Sequence, residues 1–167
     1  LLALGTTLEL EAAGGARRTV PLASFYKGYK KIDLAPGELV AAVSFARPEK
    51  TARYSFEKVS QREFLDIASA NTALLLADDG KKITAATLSA GGVGPVPMLL
   101  AKTAAALVGQ PLAPATVRSA AAVLDGEIAP IDDVRGTAAY KRTLLRQLFF
   151  AHFIKLHPER FTLEALS

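Results

Sequence analysis

The chain has 167 residues, half of them apolar and 22% charged. That is the composition of an ordinary globular protein of one domain, or one and a part, and it excludes a disordered chain. Cysteine is absent, which excludes a disulfide framework, a cysteine-ligated zinc site, an iron–sulfur cluster on these residues and a thiol nucleophile. Twenty basic and 16 acidic residues leave a net charge of +4. Residues 1–52 carry 7 basic and 5 acidic groups, and residues 53–167 carry 13 and 11. No clustered basic footprint emerges, so nucleic acid is not an expected partner. No apolar run approaches the ~18 residues of a membrane span, so a membrane is not expected either.

The first five residues, Leu1-Leu2-Ala3-Leu4-Gly5, have no charged leader and do not read as a signal peptide. They read as the interior of a strand, which suggests a piece of something longer. Leu4, Thr6, Leu8 and Leu10 alternate with their neighbours at a period of two, the pattern of a half-buried strand. Ala13-Gly14-Gly15-Ala16 supplies a hairpin turn, and residues 17–22 return as a second strand. Residues 25–31 are loop-like, aromatic and basic. Pro36-Gly37 marks a turn, and residues 39–45 form a third apolar strand. Arg47-Pro48-Glu49-Lys50 is the best domain boundary.

Residues 54–59 read as a strand, followed by a polar loop over 60–65. Residues 67–77 and 83–91 are apolar runs joined by Asp78-Asp79-Gly80, a hairpin signal. The Ala-rich 67–77 run would also suit a helix, but the turn chemistry argues for a strand. After Pro97 the chain becomes helical over 98–108, ending at Gly109. A second helix covers 114–124, with Pro114 in its first turn and Gly126 beyond its end. The third and longest covers 137–156. Leu144, Leu148, Ala151 and Lys155 share one stripe of it, and Leu145, Phe149, Phe153 and Leu156 an adjoining one. Strands followed by helices predict an α+β fold: a three-stranded antiparallel sheet packed against three helices, preceded by the strands of residues 1–52.

Gly91-Gly92-Val93-Gly94-Pro95 is a Gly-rich turn of the kind whose main-chain N–H groups can cradle phosphate. Its spacing fits neither the dinucleotide fingerprint nor the P-loop, and Pro95 and Pro97 remove donors, so a structural turn is the favoured reading. His152 and His157, five apart, do not share a helix face and read as surface histidines rather than metal ligands. No Gly-x-Ser-x-Gly elbow is present. Asp132-Asp133-Val134-Arg135-Gly136-Thr137 reads as a capping and docking turn in which Arg135 can pair with a nearby acid. Glu57-Lys58-Val59-Ser60-Gln61-Arg62-Glu63 lies at a strand end and the loop beyond it. A cation there could stabilise a reduced, anionic cofactor, although composition favours a solvated charged loop.

Taken in order, several stretches resemble the flavoprotein part of the molybdenum hydroxylases, the xanthine dehydrogenase family. They are Phe25-Tyr26-Lys27-Gly28-Tyr29-Lys30-Lys31 with Pro36-Gly37-Glu38-Leu39, Phe56-Glu57-Lys58-Val59-Ser60-Gln61-Arg62, Asp66-Ile67-Ala68, Gly91-Gly92-Val93, and Asp133-Val134-Arg135 followed by Ala138-Ala139-Tyr140-Lys141-Arg142. Each is weak alone; the ordered set spans the chain. Related carbon monoxide, nicotinate and quinoline enzymes are also compatible with it.

The resemblance implies that residues 1–52 end the FAD-binding domain and that residues 53–167 form the C-terminal domain that closes against the flavin. It implies FAD in the full-length parent, with the molybdenum cofactor and iron–sulfur clusters on other domains or subunits, NAD as acceptor, and a cytoplasmic setting. By position, Val40 would lie against the flavin ring and Lys58 near it, with the loop 60–66 flanking the ring. The Gly-rich segments that hold the FAD pyrophosphate in the family lie upstream of the position of Leu1, so the chain alone is expected to be inactive. Strands 1–46 would be exposed or paired with a second copy. A flavin-free assembly module of the same fold, and a small-ligand module built on the 91–95 turn, are the competing readings.

Overall fold

A computed structural model describes residues 1–64 and 66–167. Alternation in the first strand does what it predicts from Thr7 onward. In β1 (Thr7–Ala12) Leu8 and Leu10 are the buried members, and Leu8 faces Val20 across β2 (Arg17–Pro21). The expected strand does not reach back to residue 1. Leu2–Leu4 is a 3-10 turn closed by Gly5 at φ 64°, a left-handed conformation that reverses the chain before β1 begins. Nor does β2 continue through Leu22. Leu22–Phe25 (α1) is a single helical turn whose Leu22 and Phe25 complete a small core with Leu8, Leu10 and Val20.

Residues 25–31, expected to be a loop, contain β3 (Tyr26–Gly28), paired with β4 (Lys31–Ile32). β5 (Glu38–Ser44) joins the free side of β1, giving the order β2-β1-β5 with a register shift between Glu9 and Leu10. Arg18 ties the turn before β5 to β2. Its guanidinium donates twice to Glu38, at 2.8 Å each, and to Asp33. That fork and the Ala35 N–H hold the Glu38 carboxyl down at about 2.

The four-stranded sheet has the order β6-β7-β8-β9 and is antiparallel throughout: β6 (Ala52–Val59), β7 (Ala70–Asp78), β8 (Ile83–Gly91) and β9 (Met98–Leu99). The Ala-rich run is therefore a strand, as the Asp-Gly turn predicts, although it starts at Ala70. The three-stranded expectation needs correction to four. Met98 and Leu99 pair with Ala90 and Ser89, and the Leu100 N–H extends the ladder to Leu88 O. Pro97 disfavours helix at the residue before it, and those backbone groups find sheet partners before a helix can start.

α2 (Ala101–Leu107) therefore begins three residues late. α3 (Pro114–Glu127) runs through Gly126 rather than stopping before it. α4 (Ala138–Leu156) is capped by Thr137 Oγ1, and α5 (Leu163–Leu166) is an added short helix. Ala70, Leu74, Leu76, Leu88 and Ala90 on one sheet face pack with Leu107, Val117, Leu124, Leu145, Phe149 and Phe153 of the helices in one continuous core.

The buried face of α4 is Lys141, Leu145, Leu148, Phe149, His152 and Phe153, with Phe150 beside it. That spacing is one helical stripe, and two of its members are polar. His152 faces Thr72 Oγ1 of β7 at 3.5 Å. His157, just past the helix, lies 3.2 Å from Asp78 Oδ2 of the same strand. Both histidines are thus buried, not on the surface as expected, His152 because it lies on the helix face that packs on the sheet and His157 because the turn after α4 sets it against Asp78 and Phe161.

Candidate functional site

Strand alternation divides β6. Ser55 is buried and Arg53 and Glu57 bond to residues of α4, Arg53 to Leu156 O and Glu57 to Lys155. Tyr54, Phe56 and Lys58 point to the other face, where Tyr54 and Phe56 are exposed. Lys58, opposite Asn71, extends its ammonium to Asp66 O at 2.7 Å. Asp66 in turn gathers the loop that follows β6. It accepts the N–H groups of Arg62 and Ile67 at 2.9 Å each, and the Arg62 guanidinium lies 3.6 Å away. These donors, led by the Arg62 N–H, hold its carboxyl below the usual carboxylate range. Lys58, Ser60, Arg62, Asp66 and Ile67 form one hydrogen-bonded unit rather than a set of loose charges. Leu65, part of that expected loop, lies outside the described residues.

Val40 sits on β5 opposite Leu10, and its side chain is 42% exposed, with Leu39, Val43 and Phe45 exposed near it along the edge strand. Neither Val40 nor Lys58 lines any of five surface cavities of about 250 to 470 Å³. Both are exposed, one an apolar side chain on an edge strand and one a cation at a strand end.

Three of the stretches singled out in the sequence do meet. A cavity of about 470 Å³ is lined by Tyr29 from the aromatic-basic run, by Gly92, Gly94 and Pro95 from the glycine turn, and by Ile131, Asp133, Arg135 and Lys141. The glycine turn is shaped by close approach: Gly92 has φ +81°, and a Cβ there would lie 2.5 Å from Ser69 O. The 132–137 turn caps α4 as expected, with Asp132 Oδ1 accepting the Ala138 N–H. The expected pairing of Arg135 is different. Its main-chain N–H bonds Asp133, whereas the ion pair belongs to Lys141, whose ammonium is 2.7 Å from Asp133 Oδ2. Nothing in the sequence marks Lys141 or Ile131 as a lining residue; Lys141 stands there only as one of a run after the turn. No signal of spacing would pair Asp133 with a lysine eight residues on. Gln61 Nε2 donates to Val134 O at 3.3 Å, which links the loop after β6 to the same turn.

The described residues thus form an antiparallel sheet backed by helices, preceded by a three-stranded sheet in which β5 is an edge strand, and the family comparison assigns the class. Residues 55–156 match the family model of the CO dehydrogenase flavoprotein C-terminal domain, more than half of the chain, and the chain belongs to that family. Residues 1–48 match the model of the FAD binding domain in molybdopterin dehydrogenase.

Among its relatives is the carbon monoxide dehydrogenase medium chain of Afipia carboxidovorans, 31% identical over 138 residues, which are 83% of this chain and 47% of that one. A xanthine dehydrogenase of Blastobotrys adeninivorans is 30% identical over 166 residues, covering 92% of this chain and 11% of that one. In structure, the chain is similar to the CO dehydrogenase of Oligotropha carboxidovorans, with a TM-score of 0.81 and 28% identity over 88% of this chain and 51% of the other. The chain thus spans about half the length of the medium chain it matches and about a tenth of the xanthine dehydrogenase. Among the described residues no helix is long and apolar enough to cross a membrane.

An isoalloxazine ring is flat and largely apolar and becomes anionic on reduction, so it calls for an apolar wall and a nearby cation. Val40, exposed on an uncovered strand, and Lys58, with its ammonium fixed by Asp66 O, are groups of those two kinds.

Proposed function

We propose that this chain is part of the flavin-binding portion of a molybdenum hydroxylase, with residues 1–52 ending the FAD-binding domain and residues 53–167 forming the C-terminal domain. The observation that carries this is the order of the two family matches, 1–48 and then 55–156, along one chain. In this reading Val40 is an apolar contact of the flavin ring, and Lys58 places a positive charge beside it. FAD, when bound, supplies the redox chemistry, taking electrons from iron–sulfur and molybdenum partners and passing them to NAD in a cytoplasmic enzyme. Lys58 favours added negative charge through Coulomb attraction, which is strongest where water is excluded. Its bond to Asp66 O sets the ammonium in place in advance. The uncovered edge of β5 invites pairing, either with the rest of the flavin domain or with a second copy.

The test is made in the full-length parent. Lys58→Ala should lower the flavin reduction potential and slow NAD reduction, while substrate oxidation by an artificial acceptor at the molybdenum end stays nearly intact. An unchanged potential would remove Lys58 from the flavin site. A parent that purifies without flavin would overturn the whole reading in favour of an assembly module. The 167-residue chain itself should not bind FAD at micromolar concentration.

A further inference from the structure

We propose that the cavity between Tyr29, the 92–95 turn and the 131–135 segment binds a small organic oxyanion. Its carboxylate or phosphate is held by Arg135, and its apolar body lies against Tyr29, Pro95 and Ile131. The proposal is independent of the flavin reading.

The cavity has the volume of a small-molecule site, about 470 Å³, against 250 to 300 Å³ for four others on the surface. Its charge is unbalanced. Arg135 and Lys141 contribute two positive charges and Asp133 one negative. Both oxygens of Asp133 are engaged, Oδ2 by the Lys141 ammonium at 2.7 Å and Oδ1 by the Arg135 N–H at 2.8 Å. The neighbouring Asp132 is engaged by the Ala138 N–H. The carboxylates within reach along the chain are therefore committed elsewhere. Among the described residues no hydrogen bond or ion pair reaches the Arg135 guanidinium, although its charge acts on Asp133 through space. A guanidinium fork matches a planar or tetrahedral oxyanion by paired N–H donors.

The rest of the lining suits the remainder of such a ligand. Gly92 and Gly94 have no side chains, so they present main chain to the cavity, and among the described residues their N–H groups have no hydrogen-bond acceptor. Tyr29 and Ile131 are each 70% exposed in this chain and offer apolar surface to the cavity.

The experiment titrates the 167-residue chain with phenyl phosphate, benzoate and inorganic phosphate, following the backbone amide resonances of Gly92, Gly94 and Arg135. The expected result is saturable movement of those resonances, with one of the aromatic anions binding about tenfold or more tightly than inorganic phosphate. Which aromatic anion binds better distinguishes a phosphate from a carboxylate ligand. Arg135→Gln should weaken that binding about tenfold or more, the loss expected for a hydrogen bond to a charged group. Lys50→Gln, at an exposed cation elsewhere, should leave it unchanged. If Arg135→Gln does not fold, Tyr29→Ala serves instead. It should weaken the aromatic anion while sparing inorganic phosphate. Failure of all three probes to saturate these resonances, or unaltered binding in both cavity variants, would overturn the proposal.

Discussion

The ammonium of Lys141 lies 2.7 Å from Asp133 Oδ2 and donates to Ile131 O at 3.0 Å, with only 2% of the lysine side chain exposed and 31% of the aspartate. One charged residue on the buried stripe of α4 thus anchors the segment that leads into that helix. The Lys141 hydrogen bond, reinforced by the Arg135 N–H, holds the Asp133 carboxyl below its ordinary range.

A depressed carboxyl pKa contributes stability that is complete above the unfolded value of about 3.9 and is lost as pH falls through the folded value. Asp133→Asn should therefore lower the unfolding temperature at pH 7. Its deficit relative to the parent chain should shrink below about pH 4. Thermal melts at pH 7, 5 and 3 check this, and a deficit independent of pH would assign the effect to packing instead.

His152 gives the complementary case. Burial pushes its imidazole down to about 4; Glu57 opposes that shift and Lys155 adds to it. The folded chain then binds fewer protons than the unfolded one between about pH 4 and 6.5, so stability is complete above 6.5 and declines as pH falls through that window. The loss should amount to about 3 kcal/mol. His152→Gln should flatten this limb of the profile, as read from urea midpoints between pH 7 and 4. An unaltered slope would show that another group carries it.

Gly92 and Gly109 have the same left-handed φ of +81°, but only Gly92 has backbone in the way of a Cβ, Ser69 O at 2.5 Å. Gly109→Ala should cost about 1 kcal/mol, the conformational term alone. Gly92→Ala should cost more, about 2 to 4 kcal/mol, because main chain of β7's approach must shift as well. Denaturation of the two variants side by side separates the terms, and equal losses would refute the close-approach argument.

Glu127, in the last turn of α3, accepts the N–H groups of Lys102 and Thr103 at 2.9 Å each and the Thr103 hydroxyl at 2.7 Å. It acts as the N-terminal cap of α2 from 24 residues away. Glu127→Ala should cost about 1 to 2 kcal/mol, measured by chemical denaturation. Amide exchange should quicken at Thr103, which is fully buried, and leave α4 unaffected.

Much of the architecture was legible along the chain. The period of two in β1, the Asp-Gly hairpin between β7 and β8 and the change to helix after Pro97 are local signals, set by side-chain alternation and by the few residues that tolerate turn geometry. Those signals chose strand over helix for an Ala-rich run that composition left open. They failed where a backbone segment took a partner distant in sequence. Met98 and Leu99 became a fourth strand because β8 offered a free edge. Leu2–Leu4 left the strand pattern at Gly5.

The candidate sites divide in the same way. Residue types, order and family resemblance single out Val40, Lys58, the glycine turn and the 133–135 turn from sequence alone. The meeting of Tyr29 with Gly92 and Arg135, the commitment of Asp133 to Lys141, and the burial of His152 against Thr72 depend on how α4 is rotated on the sheet and how the 25–31 segment lies against the 92–97 turn. Local propensity acts over a turn or two of chain. Which cavity is left open, and which histidine is buried, is decided by packing between segments 43 to 106 residues apart, from Gly92 and Arg135 to Tyr29 and Arg135, where a single helix rotation exchanges one set of partners for another.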